Sequence, residues 1–262
     1  MTVVDPTYVG TAVAAFLFLA IVAMLEVGRR VGIRRAAREG DVAPEGTSAL
    51  AGAVYGLLAL IIAFTFSGAT ARFDERRHLI IEEANAIGTA YLRIDMAASG
   101  AQPALRDSFR RYLDARIGVY AKLPDLAASQ ANLERSTRLQ GEIWALAVAA
   151  TRMPESHPTL GLLLLPALNA MFDITTTRTM VTRIHPPAVI FVMLLSLALV
   201  AAVLTGHDLA RGASRRWLHT LGYAAILSVT VYVIIDIEFP RLGFIRVDAI
   251  DQVLVDLRAS MK

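Results

Sequence analysis

The sequence contains no cysteine among its 262 residues, which excludes a disulfide framework and thiolate chemistry at a metal or redox centre. Charge is scarce as well. Only 19% of residues are Asp, Glu, Lys or Arg against 55% hydrophobic ones, a balance displaced from the soluble norm of about 25% charged toward the membrane class. The five histidines, His78, His157, His185, His207 and His219, lack zinc-type spacing. No phosphate-cradling glycine loop and no serine-nucleophile motif occurs, so the sequence offers no catalytic centre and calls for no cofactor or metal. A net charge of +3 and a pI near 9.4 do not argue for nucleic acid, because the arginines gather at the ends of apolar runs, as they do in membrane proteins.

What the chain holds in quantity is long apolar runs. The first, Tyr8–Leu25, is about the length of a membrane span; only Asp5 and the terminus carry charge before it, and Arg29, Arg30, Arg34, Arg35 and Arg38 follow it. A cleaved signal peptide has the reverse order, with positive charge first and a small-residue cleavage site after. Gly40–Thr47 is a turn-rich connector, and Thr47 or Ser48 can cap the next helix. Ser48–Asp95 reads as one long helix around which the chain is organised. Its stretch Ala49–Ala71 carries no charge and, at about 1.5 Å per residue, crosses the roughly 30 Å hydrocarbon core of a bilayer. Beyond Arg72, Phe73, Ile80, Ile87 and Ile94 recur with Ala84 and Tyr91 between them, a heptad-like stripe, while Glu75 and Glu82 lie on another face.

Arg72–His185 contains no comparably long uncharged run and reads as a helical region of about 110 residues outside the membrane. Breaks are expected at 97–103 and 153–158, with a corner at Pro124. Ala104–Lys122 places Leu105, Phe109, Tyr112, Leu113 and Ile117 on one side; Asp125–Arg152 and Thr159–Arg183 are further helices, the last kinked by Pro166 or beginning near it. Pro186–Thr205 and Leu218–Ile237 are the third and fourth spans, joined by a connector with Arg211, Arg215 and Arg216, and Trp217, Tyr223 and Tyr232 suit interfacial anchors. After a turn at Pro240–Gly243, Val247, Ile250, Val253, Leu254 and Leu257 form an amphipathic tail expected to pack on the helical domain. The fold class is all-α: an integral membrane protein divided into 1–71 (two spans and a basic connector), 72–185 (helical extramembrane domain), 186–238 (two spans) and 239–262 (tail). The positive-inside rule puts both arginine-rich connectors in the cytoplasm and the helical domain outside. Arg72, Arg76, Arg77, Arg178 and Arg183 oppose this but count less, because long domains translocate largely regardless of charge.

The run FTFSGATARFDERRHLIIEEANAIGTAYLR, Phe64–Arg93, and the run DIEFPRLGFIRV, Asp236–Val247, resemble the bacterial bestrophin-like membrane proteins, and the likeness covers most of the chain. More distantly it resembles the bestrophins, pentameric anion channels whose second membrane helix lines a narrow hydrophobic neck and continues into an Arg-Trp-Trp-containing stretch. Arg72, Phe73 and Glu75 are similar to that stretch, with Asp74 in place of one aromatic. Alignment on Arg72 then places Phe64, Leu60 and Gly56 where neck side chains point; recurring every four residues, they share one helix face. The resemblance implies a homo-oligomer, by analogy a pentamer in a bacterial inner membrane, passing chloride or other small anions, with Leu60 and Phe64 as a ring that gates by dewetting. Gly56 departs from the bulky residue of the family, and no acidic calcium clasp is evident. The family holds its helical domain in the cytoplasm, against the arginine count.

Each candidate has a simpler reading. Gly56, Leu60 and Phe64, and the small or hydroxylated Thr65, Ser67, Gly68 and Thr70, also fit ordinary helix packing; as pore residues, Ser67 and Gly68 wet the mouth. Arg72, Glu75, Arg76, Arg77, Glu82, Glu83 and Asn85 fit a solvated face with intrahelical pairs such as Arg72 with Glu75. The functional version is a vestibule in which symmetry gathers Arg72 and Arg76 to concentrate anions, opposed by Glu75 and Glu82. Asn169, Asp173 and Arg178 suit hydrogen bonds that buttress the domain, and Asp236 suits simple solvation at the interface rather than a proton relay. A non-conducting sensor or scaffold that binds a partner through its helical domain is the alternative function.

Overall fold

The computed structural model describes residues 6–39, 47–121, 123, 125–210, 217–241 and 244–261. Those residues fold into eight α-helices: α1 Pro6–Glu39, α2 Thr47–Leu92, α3 Gln102–Ala121, α4 Leu126–Thr151, α5 Leu160–Val181, α6 Ala188–Leu209, α7 Trp217–Glu238 and α8 Asp248–Ser260. The connector 40–46, Lys122, Pro124, Arg211, Arg215, Arg216 and the end of the Pro240–Gly243 turn lie outside the described residues. The long helix forms as its composition demands, and α2 passes into a short 3₁₀ turn, Arg93–Met96, before the chain breaks. Pro103 sits in the first turn of α3, where its missing N–H is no loss. Asp125 caps α4 by accepting from the backbone N–H of Ala128 at 3.0 Å.

Five described helices are long and apolar enough to cross a membrane by length and composition, one more than the four expected. The additional one is α5, whose apolarity has another use. The chain divides into two compact units, and α5 belongs to the first, Phe73–Ile184 with Arg246–Lys262. There Leu160, Leu164, Leu168 and Met171 are buried in one hydrophobic core with Ile87, Ile94, Phe109, Leu113, Ile143 and Leu254. Pro166 lies inside α5 rather than at its start, and Arg93 donates to the carbonyl of Leu163 in the turn before it.

A charge cluster is sealed inside this unit. The carboxylate of Glu83 on α2 accepts from Arg116 of α3 at 2.5 Å and from Arg178 of α5, and Arg178 donates on to Asp251 of α8 at 2.7 Å. Glu83 and Arg116 have no exposed side-chain surface. Tyr120 covers Arg178, its ring centre 3.8 Å from the guanidinium carbon. Burial pushes the Glu83 carboxyl up, but the two guanidinium groups outweigh it and hold the group below its ordinary value. Glu83 is therefore no part of a solvated face, although its neighbour Glu82 is exposed. Of the three polar residues on α5 expected to buttress the domain, only Arg178 is buried; Asn169 and Asp173 are exposed.

The second unit, Val4–Arg72 with His185–Ile245, is organised by a close crossing of α1 and α6. A Cβ added at Gly28 would stand 2.0 Å from the carbonyl oxygen of Val203, and one added at Gly206 would stand 2.0 Å from that of Leu25. Gly28 and Gly32 form a GxxxG pair, faced by Ala202 and Gly206 at the same spacing, so the two backbones touch as only small residues allow. Two boundaries shift from expectation. The basic residues Arg29 to Arg38 ride on α1, where Glu26 accepts from both Arg29 and Arg30, and α6 runs on through His207 and Asp208.

Glu83 gives a pH test. Because its folded pKa is lowered, its stabilisation is present above the ordinary glutamate value of about 4.3 and is lost as pH falls through the folded value. Glu83→Gln is expected to cost roughly 3–5 kcal/mol at neutral pH, by leaving two buried guanidinium groups short of counter-charge, and to flatten the acid limb of stability. Melting of the purified protein across pH checks both.

Candidate functional site

In the part of α2 that belongs to the second unit, most of the helix is uncovered within one chain, Leu50, Leu57 and Phe66 included. Ala51, Leu58 and Ala69 are buried, whereas Leu60 is 50% exposed and Phe64 67% exposed. Gly56 and Ser67 are exposed too, and Gly56 has no neighbour within 4 Å of where a Cβ would sit. These four lie on one face. Thr65 and Thr70 turn their hydroxyls onto their own helix, bonding the carbonyls of Ile61 and Phe66. Gly68 is half-buried and differs from the rest: it lies under the Arg72 guanidinium, whose Nη1 would be 3.3 Å from an added Cβ.

Arg72 does not pair along its own helix. Its Nε and Nη2 donate to the carboxylate of Glu238, at 2.9 and 2.7 Å, in a two-pronged contact between α2 and the last residue of α7. Glu238 has no exposed side-chain surface, while Arg72 keeps 30%. Nδ1 of His185 donates to the other Glu238 oxygen at 3.1 Å, and the His185 ring stacks on Phe239 with centres 4.6 Å apart. Beside this anchor is an apolar pocket of about 210 Å³, walled by Ile61 and Phe64 of α2, Ile190 and Phe191 of α6 and Ile234 of α7. Asp236, two residues before the anchor, is not solvated: it is 5% exposed and accepts from the Tyr232 hydroxyl and the backbone N–H groups of Phe244 and Ile245. It fastens the chain as it leaves α7.

In the first unit, the α2 residues beyond Arg72 sort by the same register. Arg76 is 6% exposed and donates to the carbonyl of Ile184. Glu75 and Glu82 are exposed, as are Asp74, Arg77, His78 and Asn85. Arg77 pairs with Asp74 at 3.3 Å and leans on the Phe73 ring; His78 meets Glu82 at 3.0 Å. Of the residues expected to carry vestibule charge, the acidic ones stay outside and the basic ones are engaged within the chain. The sequence assigns Glu238 and His185 no role, and it places Glu83 on a solvated face. The available signal for Glu238 was a carboxylate closing an apolar run, for which a partner is required in lipid.

The pair predicts an asymmetry. Arg72→Met strands a buried carboxylate, whereas Glu238→Gln leaves a guanidinium that can turn to water. Arg72→Met is expected to lower the melting temperature more, by the equivalent of roughly 3–5 kcal/mol against about 1, and adding Glu238→Gln to it recovers part of the loss. Melting of the single and double variants in detergent checks the order.

The sequence matches the bestrophin-like domain over residues 8–250. No curated protein sequence matches it. Among solved structures, a tyrosine-to-alanine variant of a bacterial bestrophin homologue from Klebsiella pneumoniae superposes with a TM-score of 0.64 at 14% identity, covering 94% of this chain and 98% of that one. A tryptophan-to-alanine variant of the Klebsiella homologue gives 0.65 at 14%, covering 94% and 97%, and a leucine-to-threonine variant 0.64 at 14%, covering 93% and 98%. At such identity the likeness carries the fold, and the domain match, which takes in nearly the whole sequence, carries the family: this all-α, multi-pass membrane protein belongs to the bestrophin-like family.

Proposed function

We propose that the protein is an oligomeric ion channel of a bacterial inner membrane, with a pore lined by α2. The observation that carries this reading is the unpacked face of α2. Gly56, Leu60, Phe64 and Ser67 are exposed within one chain, on a helix whose buried residues Ala51, Leu58 and Ala69 lie on the opposite side. By register the same face holds Glu75, His78, Glu82 and Asn85 further along the helix. A stripe that passes from apolar to hydroxylated to charged suits a water path with a hydrophobic constriction at Leu60 and Phe64. One copy offers little room for such a path, so rotational symmetry supplies the other walls, five copies by analogy with the bestrophins.

The permeant ion has two readings. The resemblance to bestrophins favours chloride and other small anions, with Arg72 and Arg76 as the attracting charges. Those two are the charges taken up inside the chain, Arg72 by Glu238 and Arg76 by burial. What α2 leaves exposed next to them is Asp74, Glu75 and Glu82 against Arg77, which is itself paired with Asp74. Repeated around an axis, that is an acidic ring, and acidic rings favour cations. The charge distribution therefore supports cation preference.

Purified protein in planar bilayers under a KCl gradient separates the readings. The expected result is a reversal potential displaced toward that of potassium, and a larger conductance in Leu60→Ala and Phe64→Ala; displacement toward chloride returns the family's anion assignment. No current from protein of proven oligomeric mass overturns the channel in favour of a membrane sensor or scaffold. Orientation is decided by a reporter in the connector that holds Gly212: activity in the cytoplasm follows the arginine count, and activity in the periplasm follows the family.

A further inference from the structure

The pocket beside Arg72 lies where three apolar helices end. Arg72 is the first charge after the uncharged run of α2, Pro186 and Pro187 immediately precede α6, and Glu238 is the last residue of α7. In a bilayer such ends lie at headgroup depth, so the guanidinium stands at that level and the walls of Ile61, Ile190 and Ile234 run toward the hydrocarbon. Arg72 commits Nε and Nη2 to Glu238 and turns Nη1 over Gly68, which also lines the pocket. Any side chain at position 68 would crowd that nitrogen. Glu238 lies behind with no exposed side-chain surface. An approaching molecule therefore meets one guanidinium N–H donor, its charge shared with Glu238, at the end of an apolar slot. At about 210 Å³ the slot falls below the roughly 300–1,000 Å³ of sites for compact ligands and suits a stretch of a single chain.

We propose that this groove holds one acyl chain of an anionic phospholipid, with phosphate oxygens on Nη1 of Arg72. The lipid then forms part of the flank of Phe64 and shields the Arg72–Glu238 pair from water. The inference rests on the membrane placement of α2, α6 and α7 and does not depend on conduction.

Native mass spectrometry of the assembled protein, released from vesicles of mixed phosphatidylcholine and phosphatidylglycerol, counts the lipids held per chain. Both lipids offer phosphate oxygens to Nη1, but the choline ammonium offsets the headgroup's charge, so phosphatidylglycerol is expected to be retained over phosphatidylcholine by roughly fivefold, the scale of one arginine's attraction to an anionic headgroup. Ile190→Trp, which fills the slot and leaves the ion pair untouched, is expected to abolish the retention, and Glu238→Gln, which frees Arg72, to keep it. Equal retention of the two lipids, or retention undiminished by Ile190→Trp, overturns the proposal. Retention of added dodecanoate in place of phosphatidylglycerol overturns it in favour of a free carboxylate. Wild-type protein that holds no lipid and whose copies separate on Ile190→Trp overturns it in favour of a second copy of the chain on this face.

Discussion

Burying a carboxylate is costly unless a cation meets it with good geometry, and the arrangement of the second unit follows from how Glu238 satisfies that condition. The two-pronged contact with Arg72 ties the end of the apolar half of α2 to the end of α7. The guanidinium lies over Gly68, where a larger residue would have to displace it by a few tenths of an ångström. The contact also removes the nearest positive charge from the exposed face of α2, which decides the sign of what remains. His185 closes the anchor from the segment just before α6, stacked on Phe239.

The first unit repeats the solution with more partners. Glu83 gathers Arg116 and Arg178, and Asp251 balances the second guanidinium, so that α2, α3, α5 and α8 share one neutral quartet, three members buried and Asp251 at its edge. Such a cluster is weak evidence for stability, since hydrophobic replacements of the whole set are often neutral or better, but breaking any one member leaves an uncompensated charge. Both clusters leave α2 with one engaged side and one bare side along its length, the property on which the channel reading rests.

How much of this could be read beforehand depended on the range of the signal. The length of α2 and its inward stripe were legible, because an uncharged run and a heptad spacing are local patterns; Ile80, Ile87 and Ile94 are buried as that spacing requires. The breaks around 97–103 and 153–158 were legible from Gly, Pro and Ser content. Adjacent glutamates with opposite fates were not: Glu82 and Glu83 differ only by the turn of one residue, and the partners of Glu83 lie 33 and 95 positions away. Arg72 was misassigned to Glu75 because a near partner is visible in sequence and one 166 positions away is not. The Gly28 and Gly32 pair on α1, by contrast, was a readable packing motif that was passed over. α5 defeats hydropathy because a helix central to a core and a helix in lipid have the same composition.

The central claim is that the bare face of α2 meets water. Because the chain has no cysteine, a single introduced thiol is the only one present, and modification by a charged, membrane-impermeant thiol reagent reports wetting at that position alone. The account predicts rapid modification, with altered current, at Leu60→Cys, Phe64→Cys and Ser67→Cys, and none at Leu58→Cys or Ala69→Cys on the packed face. Protection of the first three in the assembled protein would contradict it.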